Sequence, residues 1–476
     1  MQAGVGMYLP RSLDGVLAEW LDSPDRKPLI LRGARQTGKS TTIRELGKRS
    51  KLFLEVNLER RADLSLVRSC ASVEDLLGAL ATRHNIGRFP EDTLLFLDEI
   101  QESPDLVQWL RFFQEDHPKL AVIAAGSLLE VRLQERGFSF PVGRVTFRTL
   151  HPLTYLEFLQ ALGKSVLAVR LLAALQDRKA CPRPIHEEAL AMLRDYLLVG
   201  GMPEAVSNWV TTGRPAIVRE IHADLLQALA EDFQKYRGVR DLGHLEAAFE
   251  NLKYHVGSRF SYENFAPGHR SQSMKTALGR LEAGLLIARV WPTSDTKLPP
   301  RPRPKSAPKL LPLDTGLALS SMGTAIEDVH ALAFERLIDG RLAEMFVGQQ
   351  LLAGRPGRHE RLYFWVSESS RGSAEVDYLL PGAGVPVPLE VKSGTSGTLR
   401  SMHQFLWRAG LHTGLRLYTG EFTDQLLQVS MSGKTLRYRL LSVPIYMAQA
   451  VWGILGDIAG PGDAGARGNP PAQAVG

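Results

Sequence analysis

The chain has 476 residues, 44% of them hydrophobic and 23% charged, with a formal net charge of +6. That length is too great for one hydrophobic core and predicts about two to four domains, while the basic balance lends weak support to a polyanionic partner. Two cysteines, Cys70 and Cys181, exclude a disulfide framework and clustered zinc ligands, and the 12 histidines are scattered with no metalloprotease pair. With no signal arrangement at its start and no apolar run of spanning length, the chain is expected to be cytoplasmic with no membrane partner.

Residues 1–150 alternate apolar strands with helical stretches, the pattern of an α/β core. Residues 28–31 read as a short buried strand. The strand leads into Gly33-Ala34-Arg35-Gln36-Thr37-Gly38-Lys39-Ser40, a Gly-x-x-x-x-Gly-Lys-Ser loop, and then into a helix with Thr41 in its first turn. The glycines let successive backbone N–H groups turn inward around phosphates, Lys39 reaches the β- and γ-phosphates, and the Ser40 hydroxyl sits on Mg²⁺. The helix N-terminus favours an anion as well. The expected ligands of residues 33–41 are ATP and Mg²⁺.

Residues 52–56 read as a strand beside the first. The run Leu94-Leu95-Phe96-Leu97 reads as a central parallel strand buried on both faces. It ends in Asp98-Glu99, at the edge where open α/β sheets bind ligands. Asp98 is expected to hold Mg²⁺ and Glu99 to orient and deprotonate the attacking water. A further strand at residues 120–125 leads into Gly126-Ser127. Ser127 is expected between the two carboxylates and the γ-phosphate. Arg144, after Gly143, offers a guanidinium to nucleotide in the same chain or from a neighbouring subunit of a homo-oligomer; a solvated loop arginine is the competing reading.

From 151 to 240 the pattern is amphipathic and helical. Pro152 opens a helix with Thr154 in its first turn, and Gly200-Gly201-Met202-Pro203-Glu204 marks a sharp turn. This segment is expected to be a helical lid packed on the nucleotide. Residues 241–325 read as three helices, at 245–256, from 261–265 and at 273–285, followed by a hairpin of residues 286–291 and 309–313. That is a winged helix-turn-helix. Its loop carries Lys297, Arg301, Arg303 and Lys305 with no acid between Lys297 and Lys309, and Lys275 and Arg280 lie on the third helix. Such a wing is expected to lie along DNA phosphates. A spacer domain with a solvated basic loop is the alternative.

Residues 326–452 place Glu344 on a helix and strands at 362–366, 375–380 and 387–392, the last starting after its proline. Alternation puts Glu390 and Lys392 on one face, where Asp377 of the neighbouring strand meets them. Glu344, Asp377 and Glu390 are the expected metal ligands. Asp377, Glu390 and Lys392 are the expected catalytic groups of a Mg²⁺-dependent phosphodiesterase. The same residues also suit an ion-pair network in a structural sheet. Residues 453–476, rich in Gly, Ala and Pro from Gly456 onward, are expected to form a disordered tail.

Several stretches in combination resemble a prokaryotic family of AAA-type ATPases with a C-terminal domain like a restriction-endonuclease core. They are the phosphate loop, Leu-Phe-Leu-Asp-Glu-Ile-Gln at 95–101, Gly-Ser at 126–127, Gly-Arg at 143–144 and Pro-Leu-Thr-Tyr-Leu-Glu-Phe-Leu at 152–159. Gly-Gly-Met-Pro-Glu at 200–204, Leu-Asp-Thr-Gly-Leu at 313–317, Glu-Val-Asp at 375–377 and Glu-Val-Lys at 390–392 complete the set. The resemblance runs from Met7 to about Leu455. It implies ATP binding and hydrolysis, a winged-helix middle and a nuclease-like end, and the Pro/Arg loop at 298–308 departs from it as an expanded wing. Two functions compete: an ATP-driven enzyme that cuts DNA with Mg²⁺, and a regulatory or defence ATPase whose nuclease-like fold docks DNA or protein without cutting. A peptide- or protein-remodelling ATPase is a third.

Overall fold

The computed structural model describes residues 8–126, 129, 143–235, 242–303, 305–323, 340–358, 360–369, 372–394, 397–431 and 433–457. Ser127 and the part of the expected tail after residue 457 lie outside the described residues.

The first sheet holds β1 (Leu29–Arg32), β2 (Leu52–Asn57), β3 (Thr93–Asp98), β4 (Ala121–Ala125) and β5 (Thr146–Thr149), in the order β2-β3-β4-β1-β5. All four pairings are parallel. Strands β3 and β4 are buried along their whole length, as parallel strands covered on both faces must be. Helices α1 (Leu13–Asp22) and α2 (Lys39–Gly47) pack on one face through Leu13, Leu17, Ile43 and Leu46. Helices α3 (Arg61–Ser69), α4 (Val73–Arg83) and α5 (Pro104–Asp116) cover the other through Val67, Leu76, Leu80 and Leu110.

The expectation that β2 lies beside β1 is corrected. Both sides of β1 are taken, Leu29 pairing with Ile123 of β4 and with Thr146 of β5, so β2 pairs with β3 at the rim. The consequence is functional: the loop after β1 and the carboxylates after β3 flank the end of β4, at the C-terminal edge of the sheet.

Helices α6 (Tyr155–Ala161), α7 (Ser165–Gln176), α8 (Arg183–Val199), α9 (Pro203–Thr212) and α10 (Pro215–Glu231) follow. Thr154 is the N-cap of α6, and Glu157 closes a capping box with it. Next come α11 (Leu242–Asn251), α12 (Ser271–Ala283), β6 (Ile287–Thr293), β7 (Lys309–Pro312) and α13 (Thr315–Ser321). The expected helix from residues 261–265 is absent. Those residues form turns, with Phe260 and Phe265 packed against each other and His255, and Pro267-Gly268 follow too soon for a helix to propagate. The winged-helix pattern is therefore met in its hairpin and two of its helices only.

The second sheet adds β8 (Tyr363–Ser369), β9 (Gly372–Gly382), β10 (Val385–Val391), β11 (Thr413–Tyr418), β12 (Thr423–Met431) and β13 (Lys434–Pro444), with α14 (Gly340–Ala353) and α15 (Arg400–Ala409) among its flanking helices. Its order is β12-β13-β11-β10-β9-β8-β6-β7. Strand β6 pairs antiparallel with β7 and parallel with β8, so one sheet crosses the boundary expected at 325/326. Strand β10 begins before its prolines, not after them. Pro386 and Pro388 pair with β9, whereas β11 joins only from Leu389, so along that stretch β10 has one ladder, and the missing N–H groups fall on its unpaired side. Residues expected in the tail also belong to the core: Ile454 and Leu455 are buried in a short helix, Trp452–Leu455.

One hydrophobic core joins the helices α6–α10, the β6–β7 hairpin and the second sheet. The first sheet has its own cores on its two faces. The helical segment is thus fused to the second sheet rather than to the first.

Candidate functional site

The phosphate loop turns through two left-handed backbones, Gln36 at φ 63° and Gly38 at φ 95°, and Gly38 caps α2. A side chain at Gly38 would be strained at that φ, which is why the motif has glycine there. The Lys39 Nζ donates to the carbonyls of Gly33 at 3.0 Å and Ala34 at 2.9 Å, and the Thr37 hydroxyl donates to Ala34 O at 2.8 Å. Lys39 is buried. Burial pulls its ammonium down to about 8, against the opposing pull of Glu99 and Asp98. Thr41 sits exposed in the first turn of α2.

Facing the loop, the Ser40 hydroxyl donates to Asp98 Oδ2 at 3.0 Å, and Asn57 Nδ2 reaches the same oxygen at 3.4 Å. Burial and the neighbouring Glu99 hold the Asp98 carboxyl up, to about 6. A hydroxyl and a carboxylate set together offer the hard oxygens that Mg²⁺ takes, so the residues fit that ion. Glu99 adopts φ 53°, rare for a residue with a side chain, and such strain clusters at working sites. Its Oε2 accepts from Gln101 Nε2 at 2.5 Å. Lys39, Ser40, Asp98 and Glu99 are therefore brought to one edge as expected.

Two further arginines bind this edge to the helices. Arg35 of the loop pairs with Asp232, just past the end of α10. Buried Arg11 donates to Thr37 O at 3.1 Å, to His151 O and to Glu157 Oε2 at 3.4 Å. Pro203, first residue of α9, lies close enough that a Cβ on Gly38 would stand 3.5 Å from its Cγ. The Gly200-Gly201 turn before it is held by Asp314, whose Oδ2 accepts from Gly201 N at 2.6 Å while Oδ1 caps α13 at Leu317 N, 3.0 Å.

Arg144 is not in this group. It pairs with Glu115 at 3.0 Å, near the end of α5, and Lys27 donates to the neighbouring Gly143 O at 2.7 Å. Lys27 precedes β1 and Gly143 precedes β5, so this is the N-terminal edge of the sheet, a strand length of roughly 13 Å from the phosphate loop. That placement does not bring Arg144 to the nucleotide edge of its own chain.

In the second sheet Glu344 of α14 and Glu375 and Asp377 of β9 present carboxylate oxygens within 4.8 Å of one another, a grouping able to hold a metal. Glu390 stands beside them rather than in the group, with its Oε2 accepting from Lys392 at 2.7 Å, and Asp377 Oδ2 accepts from Val391 N at 2.8 Å. Burial and Asp377 push the carboxyls of both Glu344 and Glu390 up to about 7. Lys309 of β7 enters the group: its Nζ is 2.5 Å from Glu344, 2.5 Å from Glu375 and 3.8 Å from Asp377. Burial works against that charge, but the three acids outweigh it and raise its pKa.

Glu375, Lys309, Arg11, Asn57, Gln101 and Asp232 were not among the expected site residues. Glu375 was legible, since alternation puts it on the face of Asp377. The others carry no signal in a local pattern.

Three family models match parts of the chain: an AAA domain over residues 25–159, a domain of unknown function (DUF8612) over 190–326 and a domain of unknown function (DUF4143) over 339–434. Among solved structures, one titled "Structure of C. elegans PCH-2" matches at 13% identity and a TM-score of 0.27, over 41% of this chain and 59% of that one. No curated protein matches. The parallel α/β sheet, its phosphate loop and the family match define the N-terminal part as an AAA-type ATPase domain. No helix among the described residues is long and apolar enough to cross a membrane.

Proposed function

We propose that the protein binds and hydrolyses ATP at the edge formed by residues 33–41, Asp98 and Glu99, and uses the turnover to act on DNA. The observation that carries the ATP reading is the Ser40–Asp98 pair facing buried Lys39 across the C-terminal ends of β1 and β3. Backbone N–H groups of the loop and Lys39 bind the phosphates. Ser40 and Asp98 would hold Mg²⁺, which when bound neutralises charge on the β- and γ-oxygens. Glu99, oriented by Gln101, accepts the proton of the attacking water.

Arg35, Arg11 and Pro203 touch both the loop and the helical segment, and that segment shares a core with the second sheet. Movement at the loop would therefore carry the basic hairpin loop and the second sheet as one body. The loop at 297–305 suits DNA phosphates, and the exposed Arg301 there pairs with Asp295.

A second reading of the C-terminal region is favoured by Lys309. An ammonium among Glu344, Glu375 and Asp377 is what an ion-pair network without metal contains, so in this arrangement the nuclease-like region docks DNA or protein without cutting.

The experiment is ATP turnover with Mg²⁺, with and without DNA, in the wild type and in Glu99→Gln. Turnover stimulated by DNA in the wild type, and nucleotide binding with turnover reduced by about a hundredfold or more in the variant, supports the reading. Equal turnover in the two proteins overturns the assignment of Glu99. Turnover indifferent to DNA overturns the DNA part.

A further inference from the structure

We propose that Lys309 is the resident cation of the acidic cluster: its ammonium takes the position that Glu344, Glu375 and Asp377 would otherwise give to a divalent ion, and excludes that ion while β7 stays in place. Three observations carry this. The ammonium lies 2.5 Å from two of the carboxylates and 3.8 Å from the third, so a metal bound to all three would have to occupy its space. Lys309 is buried, 4% exposed, so the cation is enclosed with its acids rather than swinging in water. Glu390, also buried, keeps a carboxylate oxygen, Oε1, with no hydrogen-bond partner among the described residues; an enclosed orphan acceptor beside the cluster is the mark of a site with further capacity for a cation.

Charge supports the same reading. Arg259 pairs with Glu375, and Lys392 pairs with Glu390, so four carboxylates face three cations. Removing Lys309 leaves half-buried Glu344 and buried Asp377 with no cation bonded to either among these pairs, an arrangement that demands a proton or a metal. The lysine comes from outside the sheet segment that bears the acids. Strand β7 stands last in the sheet order, with a four-pair ladder to β6 on one side and, among the described residues, only isolated bridges to Val256 and Arg259 on the other. Past β7 the chain reaches Asp314, which holds the Gly200-Gly201 turn next to the phosphate loop. Strand β7 therefore connects the nucleotide edge to the cluster. The inference goes beyond the proposed ATPase function and does not depend on it.

The test is Mn²⁺ binding to the full chain without nucleotide, counted by electron paramagnetic resonance, for wild type, Glu344→Gln, Lys309→Met and Lys309→Met/Glu344→Gln. Comparison across Glu344 isolates this cluster from any ion at Ser40 and Asp98. The expected result is the same Mn²⁺ count in wild type and Glu344→Gln. Lys309→Met should add one site, and the added Glu344→Gln should remove it. A Glu344-dependent Mn²⁺ site in the wild type overturns the proposal, and this arm needs no change at Lys309, so it decides even where Lys309→Met does not fold. A folded Lys309→Met protein that gains no site overturns it equally.

Discussion

Asp314 and Gly201 join two motifs that lie far apart in the chain: the Asp314 carboxylate accepts from the Gly201 N–H at 2.6 Å and, through its other oxygen, caps α13 at Leu317. Gly201 cannot carry a side chain here, because a Cβ would fall on the Leu153 backbone. The turn it forms starts α9 at Pro203, beside Gly38 of the phosphate loop.

Asp314→Ala leaves two N–H groups without their acceptor, one of them a helix cap. It should lower unfolding stability by about 2–4 kcal/mol in urea, and Asp314→Asn, which keeps one acceptor oxygen, by less. Equal stability of wild type and Asp314→Ala would show that the contact does not hold the turn.

Arg144 pairs with Glu115 at the sheet edge opposite the loop. Arg144→Ala in the monomeric protein should leave nucleotide affinity and turnover within about twofold of wild type, since no contact to the nucleotide of its own chain is lost. A large loss of turnover at all protein concentrations contradicts that placement. A loss seen only where subunits associate would mark action on a neighbour.

The basic loop should bind DNA through phosphates. Neutralising Arg301, Arg303 and Lys305 together should weaken binding of unrelated sequences alike and flatten the log–log salt slope by up to about 3, at roughly 0.9 per phosphate contact. An unchanged slope places the DNA contact elsewhere.

His186 of α8 is buried between Tyr446 Oη, 2.9 Å from Nδ1, and Thr419 O, 3.1 Å from Nε2, tying the helices to the second sheet. Burial pulls its pKa below the ordinary value. The folded state therefore favours neutral His186, and the unfolded chain takes the proton first. Its stabilisation is whole above about pH 6.5 and drains away as pH falls from there toward the lowered value. The Tm should fall between pH 7.5 and 5.5, and fall less in His186→Gln. The same acid-side loss in both proteins would remove His186 as a source.

The phosphate loop, β3 and its carboxylates were legible because each is a local signature: glycines at fixed spacing, or an apolar run ending in two acids. Strand order was not. A parallel neighbour is reached by a crossover, and nothing in residues 52–57 records that β4 and β5 have already taken both sides of β1. The short helix at 261–265 failed because its aromatic residues pack as turns instead. In the second sheet, alternation put Glu390 and Lys392 on one face, where the two side chains pair. Lys309 was invisible as a site residue, because a lysine at the head of an apolar strand reads as a solvated edge, and its acids arrive from α14 and β9 only through tertiary packing.

The proposed function requires nucleotide to be held between Lys39 and the Ser40–Asp98 pair. Titrating Mg²⁺ with a non-hydrolysable ATP analogue into wild type and Lys39→Ala by calorimetry tests it most directly. The expected result is saturable one-site binding in the wild type and an affinity lower by about a hundredfold, or ~2.8 kcal/mol, in the folded variant. Equal affinity in the two proteins would contradict it.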